Sequence, residues 1–285
     1  MKLATCRTKS ERIAMDQSTR FERFRALHER PGIFLIPNPW DAGSAKILTS
    51  LGFEALATTS AGFAFSMGKR DEIGGLGRDA VLENARAIVE STHLPVSADL
   101  ADGFGREPKD CAETIRRAAV VGLAGASIED ATGDHTRPVY ELALAVERIV
   151  AAAESATANG VLLTARAEEW LYGANDLDAT IARLQAYADA GADVLYAPGL
   201  PDLDAIRRVC SSVPKPVNVL MGLKGATFTV DELADAGVKR ISVGGSLARA
   251  ALGALLEAAR EMLDHGTFTY SARALPSADV ERLLG

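Results

Sequence analysis

The 285-residue chain is poor in cysteine, tryptophan and histidine. Its three cysteines, Cys6, Cys111 and Cys210, are an odd number with no close spacing. That excludes a disulfide framework and a thiolate zinc site, and points to a reducing cytoplasm. No apolar run approaches the roughly 20 residues of a membrane span. The basic positions Lys2, Arg7, Lys9, Arg12 and Arg20 are followed by no apolar h-region, so a secretory signal is not expected. Met15 lies within that stretch and is a possible alternative start. There is no excess of positive charge either: the formal net charge of −7 supplies no basic stripe for nucleic acid. His28, His93, His135 and His265 form no cluster in the sequence, and only His135 falls in a segment expected near a site.

What is present is a large apolar fraction, 48%, arranged as an alternation. From Pro31 onward, short apolar strand-like runs alternate with helix-like segments. The strand cores read 33–36, 55–59, 96–99, 126–129, 161–164, 194–197, 217–220 and 241–244. Apolar runs without polar alternation suit parallel strands covered on both faces. In 178–190, Ile181, Leu184 and Ala188 make one helical stripe. Thr229 to Glu232 reads as a capping box. Gly52, Gly122, Gly191 and Gly237 each stand between a helix-like segment and a strand, as residues that close a helix in the left-handed conformation. Eight such βα units predict an α/β fold, a single (β/α)₈ TIM barrel. The expected organisation is a tail and leading helix over 1–30, the barrel over 31–265 and a helical extension over 266–285. Helices at 248–263 and 275–284 exceed what one barrel needs, and the surplus is expected to pack on a partner subunit.

In such a barrel the carboxyl ends of the strands share one mouth. Asp99 ends the third strand, where alternation places Ser97, Asp99 and Ala101 on one face. Glu129 ends the fourth; Thr164, Arg166 and Glu168 share a face at the end of the fifth. Asn38, Trp40, Asp41, Asp71, Asp102, Asp130 and Tyr196 join the same rim. Oxygen ligands without histidine or cysteine favour Mg²⁺ or Mn²⁺, with Asp99 as direct ligand and Asp71 and Glu129 holding waters. Arg166 suits a carboxylate or a developing oxyanion. The stretch from Thr58 to Gly62 can present backbone N–H groups to a carboxylate. Asn218, in an otherwise apolar strand, serves either a ligand or a neighbouring strand. Gly244–Gly245–Ser246 before a helix resembles a phosphate cup. Asp102 and Asp130 fit helix caps best, and Trp40 and Tyr196 fit packing.

Five stretches carry a resemblance: Pro37–Asp41, Thr58–Gly62 with Gly68–Asp71, Ser97–Gly105, Ser127–Asp130 and Thr164–Arg166. In this order they resemble the isocitrate lyase/phosphoenolpyruvate mutase superfamily, from about Pro31 to Leu263. The resemblance implies a barrel whose eighth helix is swapped between subunits of a homo-oligomer (dimer or tetramer), and Mg²⁺ chemistry on α-keto acids or dicarboxylates through an enolate that the metal stabilises. By position, Asp99 binds metal, Asp71 and Glu129 belong to the metal shell, and Arg166 binds substrate, with Arg166, Glu129 and Asp71 as the catalytic set. Thr59, Ser60 and Ala61 supply a backbone cradle, beside Asn218 and Gly244. Two departures stand out. The acid that the superfamily carries two residues after Asp99 is Ala101 here, and the loop 130–138 has neither the Cys nor the Lys of isocitrate-type lyases. The expected function is a C–C lyase or decarboxylase of a small α-keto or hydroxy carboxylate, with no nucleic-acid or membrane partner. The alternatives are a phosphonate P–C bond enzyme and a keto-acid-binding protein without turnover.

Overall fold

The computed structural model describes residues 16–173, 175–223, 225 and 227–285. Eight strands form one parallel sheet: β1 (Phe34–Ile36), β2 (Leu56–Ala57), β3 (Val96–Asp99), β4 (Gly125–Glu129), β5 (Leu162–Arg166), β6 (Val194–Tyr196), β7 (Val217–Leu220) and β8 (Arg240–Ser242). The order is β1-β8-β7-β6-β5-β4-β3-β2, with every adjacent pair parallel. A helix α1 (Gln17–Glu29) precedes the sheet. Helices α2 (Ala42–Ser50), α3 (Ser60–Ser66), α4 (Arg78–Ser91), α5 (Pro108–Val120), α6 (Leu142–Asn159), α7 (Leu177–Asp189), α8 (Leu203–Ser212) and α9 (Val230–Asp235) fill the crossovers, and α10 (Ser246–His265) and α11 (Ser277–Leu284) follow β8. This is the α/β TIM barrel that the alternation predicts.

The repeated turn is real. Gly52, Gly122, Gly191 and Gly237 have φ of 88°, 88°, 101° and 89°, a region where a side chain is strained and glycine is not. Thr229 and Glu232 form the expected capping box at α9.

The ring of strands is open between β1 and β2, which share no ladder. The gap is spanned by one backbone bond, Ala57 N–H to Pro37 O at 3.0 Å, and by the buried side chain of Asn38. Its amide donates to Thr58 O at 2.9 Å, and its oxygen accepts Val243 N at 2.8 Å and Gly244 N at 2.9 Å.

Two apolar cores result. The larger fills the space between the strands and the surrounding helices. The smaller joins α1 to the barrel: Phe24 and Leu27 pack with Phe34, Ile36, Ala55, Ala124 and Leu162. Gly125 on β4 makes room for it, since a Cβ there would lie 2.5 Å from the Phe24 ring.

Two local expectations fail. Only Leu56 and Ala57 of the 55–59 run pair as a strand, because Thr59 turns the chain by capping α3 through Gly62 N. Ala101 does not share a strand face with Asp99: β3 ends at Asp99, and Ala101 has φ +45° in the following turn. The surplus helices are present. On α10, twenty residues long, Ala248 is the one buried residue, while Leu252, Leu255, Leu256 and Leu263 are exposed. Lys46 on α2 reaches Leu284 O at 2.8 Å, which ties α11 to the barrel wall. Among the described residues no helix is long and apolar enough to cross a membrane.

Candidate active site at the barrel mouth

Strand ends converge on Arg166. Its Nη1 meets Asp99 Oδ1 at 3.0 Å, its Nη2 meets Glu129 Oε2 at 3.1 Å, and its Nε meets Glu168 Oε1 at 2.7 Å. The register explains the meeting, because Glu129 pairs with Arg166 and Asp99 with Ser127 across neighbouring strands. The Tyr196 ring, at the end of β6, supports the guanidinium from 4.9 Å. Burial opposes the charge on Arg166, yet the three carboxylates more than offset it and hold its pKa well above the ordinary value.

The carboxylates are not fully compensated in return. Burial raises Glu129 well above the carboxylate range despite Arg166, and Glu168 and Asp99 push it the same way. Glu168 is raised by burial too. Asp71, on the rim, is raised by partial burial and then by the charge of Asp99, while the Ser60 hydroxyl pulls it down. Asp99 itself is fixed by Ser60 N at 3.1 Å and Ala101 N at 3.4 Å.

Beneath Arg166 lies a polar cavity of about 60 Å³, bordered by Asn38, Ser97, Asp99, Tyr196, Asn218 and Arg240. That is room for about two waters. Arg240, the first residue of β8, enters it without an ion pair among the described residues. Its Nε donates to Asn218 Oδ1 at 2.8 Å and its Nη2 to Thr164 Oγ1 at 3.1 Å, while its Nη1 lies 3.3 Å from His28 Nε2. Burial pushes Arg240 down to about 10. His28 donates from Nδ1 to Phe24 O at 2.9 Å and is pushed down to about 3 by burial, so it meets Arg240 as a neutral ring.

The structure therefore brings Asp99, Glu129 and Arg166 together, with Asp71 at the rim and Asn218 and Gly244 lining the cavity below. Asn218 answers a neighbouring strand, through Arg240 and through Ser242 Oγ at 2.9 Å. Gly244 donates its N–H to Asn38 and Ser246 donates its N–H to Val243 O at 3.1 Å, so two N–H groups of the supposed phosphate cup are already engaged. Of the proposed cradle, Thr59 caps α3, Ser60 N holds Asp99, and Ala61 packs where Gly245 leaves space for its Cβ.

Other rim acids turn away. Asp130 binds Tyr187 OH at 2.6 Å and Arg183 Nη1 at 3.1 Å, which fastens α7 to the barrel. Asp41 caps α2. Asp102 accepts from Phe104 N in the loop after β3, and His135 is exposed on the hairpin closed by Ala131 and Val139. Tyr196 is not mere packing, since it supports Arg166. Arg240 and Ser242 escaped the sequence reading. A basic residue opening an otherwise apolar strand was their one signal, and its direction depends on register.

Four acidic side chains (Asp71, Asp99, Glu129 and Glu168) gather at the mouth around one paired guanidinium, and the donors are all hard oxygens, the kind a divalent cation takes. Among the described residues no three acids, histidines or cysteines converge as direct ligands. The hard-oxygen donors present fit a divalent cation held in part through waters.

The model of the phosphoenolpyruvate phosphomutase family matches residues 24–263. The 2-methylisocitrate lyase of Bacillus subtilis (strain 168) is 30% identical over 256 residues, 86% of this chain and 82% of that protein. The crystal structure of a lyase or mutase candidate from Burkholderia cenocepacia J2315 superposes with a TM-score of 0.91 at 57% identity, over 93% of this chain and 95% of the other. That of 2,3-dimethylmalate lyase gives 0.83 at 27% identity over 95% of each.

Proposed function

The chain belongs to the phosphoenolpyruvate phosphomutase family, within the isocitrate lyase/phosphoenolpyruvate mutase superfamily, and from that premise we propose that it is a Mg²⁺- or Mn²⁺-dependent lyase or decarboxylase that cleaves a C–C bond of a small α-keto or hydroxy carboxylate through an enolate. The observation that carries this reading is the single guanidinium of Arg166 among Asp99, Glu129 and Glu168. Asp99 would hold the ion directly, with Asp71 and Glu129 turned to its waters. When bound, the ion supplies positive charge against the oxyanion that develops as the bond breaks.

The chain's own residues do the rest. Glu168 and Tyr196 fix the plane of Arg166, so its two terminal nitrogens face the same carboxylates that would hold the ion. A substrate carboxylate or an enolate oxygen placed there meets a preorganised donor pair. Thr58 and Ser60 hold Asp99 in place, through Asp99 N to Thr58 Oγ1 at 3.1 Å and Ser60 N to Asp99 Oδ2.

Decarboxylation or another cleavage that asks little of the loop after β4 fits best. In that loop Asp134 is engaged with Thr136 through N and Oγ1, at 2.8 and 2.7 Å, and the hairpin is exposed. The P–C alternative is weakened because two N–H groups of its phosphonate cup, those of Gly244 and Ser246, are already held by Asn38 and Val243 O. The apolar face of α10 is proposed to be covered by a second copy of the chain.

The test is purified protein with Mg²⁺ and oxaloacetate, methylisocitrate, dimethylmalate and phosphonopyruvate, followed for pyruvate and phosphate with and without EDTA. EDTA-sensitive cleavage of one of the first three, lost in Asp99→Ala, is expected. Phosphate release from phosphonopyruvate alone, or turnover indifferent to EDTA, would overturn the reading.

A further inference from the structure

Arg148, on α6 outside the barrel wall, is among the largest fully buried side chains in the protein. It makes no ion pair among the described residues. Burying a guanidinium without one is costly unless its donors are all answered, and an aliphatic side chain would fill the same volume without that cost. Three of its five N–H donors are answered by a single stretch of main chain. Nη1 donates to Gly105 O and Arg106 O, both at 2.6 Å, and Nη2 donates to Asp102 O. The Tyr140 ring covers the guanidinium at 4.2 Å.

That stretch is the loop between β3 and α5, which leaves the site directly after Asp99. Its conformation is unfavourable on its own: Ala101, Gly103 and Phe104 have φ of +45°, +84° and +60°, and two of the three are not glycine. Yet six successive carbonyls are satisfied. Ala101 O accepts Glu129 N at 2.9 Å. Gly103 O accepts Thr114 Oγ1 at 2.7 Å, and Phe104 O accepts Arg78 Nη2 at 3.2 Å. The other three are those held by Arg148. At the loop's head, Ala101 N points to Asp99 Oδ1 at 3.4 Å. The loop thus bears on the Asp99 carboxylate through an N–H and on the main chain of Glu129 through a C=O; these two residues supply two of the three carboxylates around Arg166.

We propose that Arg148 is a positioning residue for the candidate site: from outside the barrel it clamps the 101–106 loop in its left-handed course and so sets where Asp99 and Glu129 point. Arg78 and Thr114 assist it on the middle of the loop. This rests on the reading of Asp99 and Glu129 as the groups that hold the cation, and outer-shell partners of that kind commonly change metal affinity by 10–100-fold.

The experiment pairs hydrogen exchange with calorimetric Mg²⁺ titration of wild type, Arg148→Lys and Arg148→Met, with far-ultraviolet circular dichroism to confirm the fold. Faster exchange at the amides of 101–106 and of Glu129 is expected in Arg148→Met, with α6 and the core strands near wild type. Its Mg²⁺ affinity should fall at least tenfold, and Arg148→Lys, which keeps a charged donor, should recover part of both. If Arg148→Met does not fold, Arg78→Met is measured instead, with the same expectation centred on 103–104. A folded variant with unchanged loop exchange overturns the clamp. Faster loop exchange with undiminished Mg²⁺ affinity overturns the link to the site. If the wild type binds no Mg²⁺, the metal reading of the site fails while the exchange arm still decides the clamp.

Discussion

At the scale of single residues, Ala101 and Arg166 make opposite demands. Ala101 stands at φ +45°, where glycine is unstrained and β-branched residues are not. Ala101→Gly should leave the melting temperature unchanged or raise it slightly, and Ala101→Val should lower stability by about 1–2 kcal/mol; thermal melts separate the two. Aspartate tolerates this region better than most residues, so the acid that the superfamily carries here suits the turn and not a strand face. Arg166→Met removes the one cation among three carboxylates that are buried or mostly so and should cost about 3 kcal/mol by chemical denaturation. Added Mg²⁺ should restore part of it by binding linkage. Burial raises Glu129 and Asp71 above their ordinary values, so a cation that needs them ionised competes with protons. Mg²⁺ affinity should therefore rise with pH, which titration in buffers of different ionisation enthalpy will show through released protons. Asp99 and Arg166 were legible because charge at the end of an apolar run is conspicuous. Arg240 was not, because a strand's register decides whether its first residue faces the cavity or the helices.

At the scale of elements, α1 is a plug with a titratable residue at its base. His28 titrates near 6.5 when free and near 3 in place. Below pH 6.5 the unfolded chain takes up a proton that the folded one refuses, so stability present at pH 7 is lost as pH falls toward 3. By pH 5 the loss is about 2 kcal/mol. Urea denaturation at pH 7.5 and 5 should show it in the wild type, and His28→Gln should reduce the difference. Most elements were legible: four glycines between helix and strand marked the repeat, and the capping box at Thr229 marked α9. α3 was not, because Ser60–Ser66 is short and has no amphipathic stripe, and only the hydroxyl of Thr59 starts it. β2 was read too long for the same reason.

At the scale of the whole molecule, the barrel followed from counting alternations, whereas its cover does not follow from one chain. α10 presents Leu252, Leu255, Leu256 and Leu263 to solvent, and clustered exposed apolar side chains of this kind mark interaction surfaces. With a second copy proposed to cover it, Leu255→Glu with Leu263→Glu should shift the protein to a smaller species in sedimentation velocity while the circular dichroism spectrum stays native. The other molecular-scale feature is the side chain that stands between β1 and β2. Because Asn38 bridges the ends of the sheet, the barrel is a split ring held by a clasp, and a split ring opens at its clasp. Slow breathing should start there, with Ala57, Val243 and Gly244 the first inner amides to exchange. Asn38→Ala, which strands three polar backbone groups, should cost ~3 kcal/mol and hasten exchange at those amides ahead of all other strands. Asn38→Asp keeps the acceptor and should lose less. Such a ring would admit water to the floor of its own site from the side, not from the mouth.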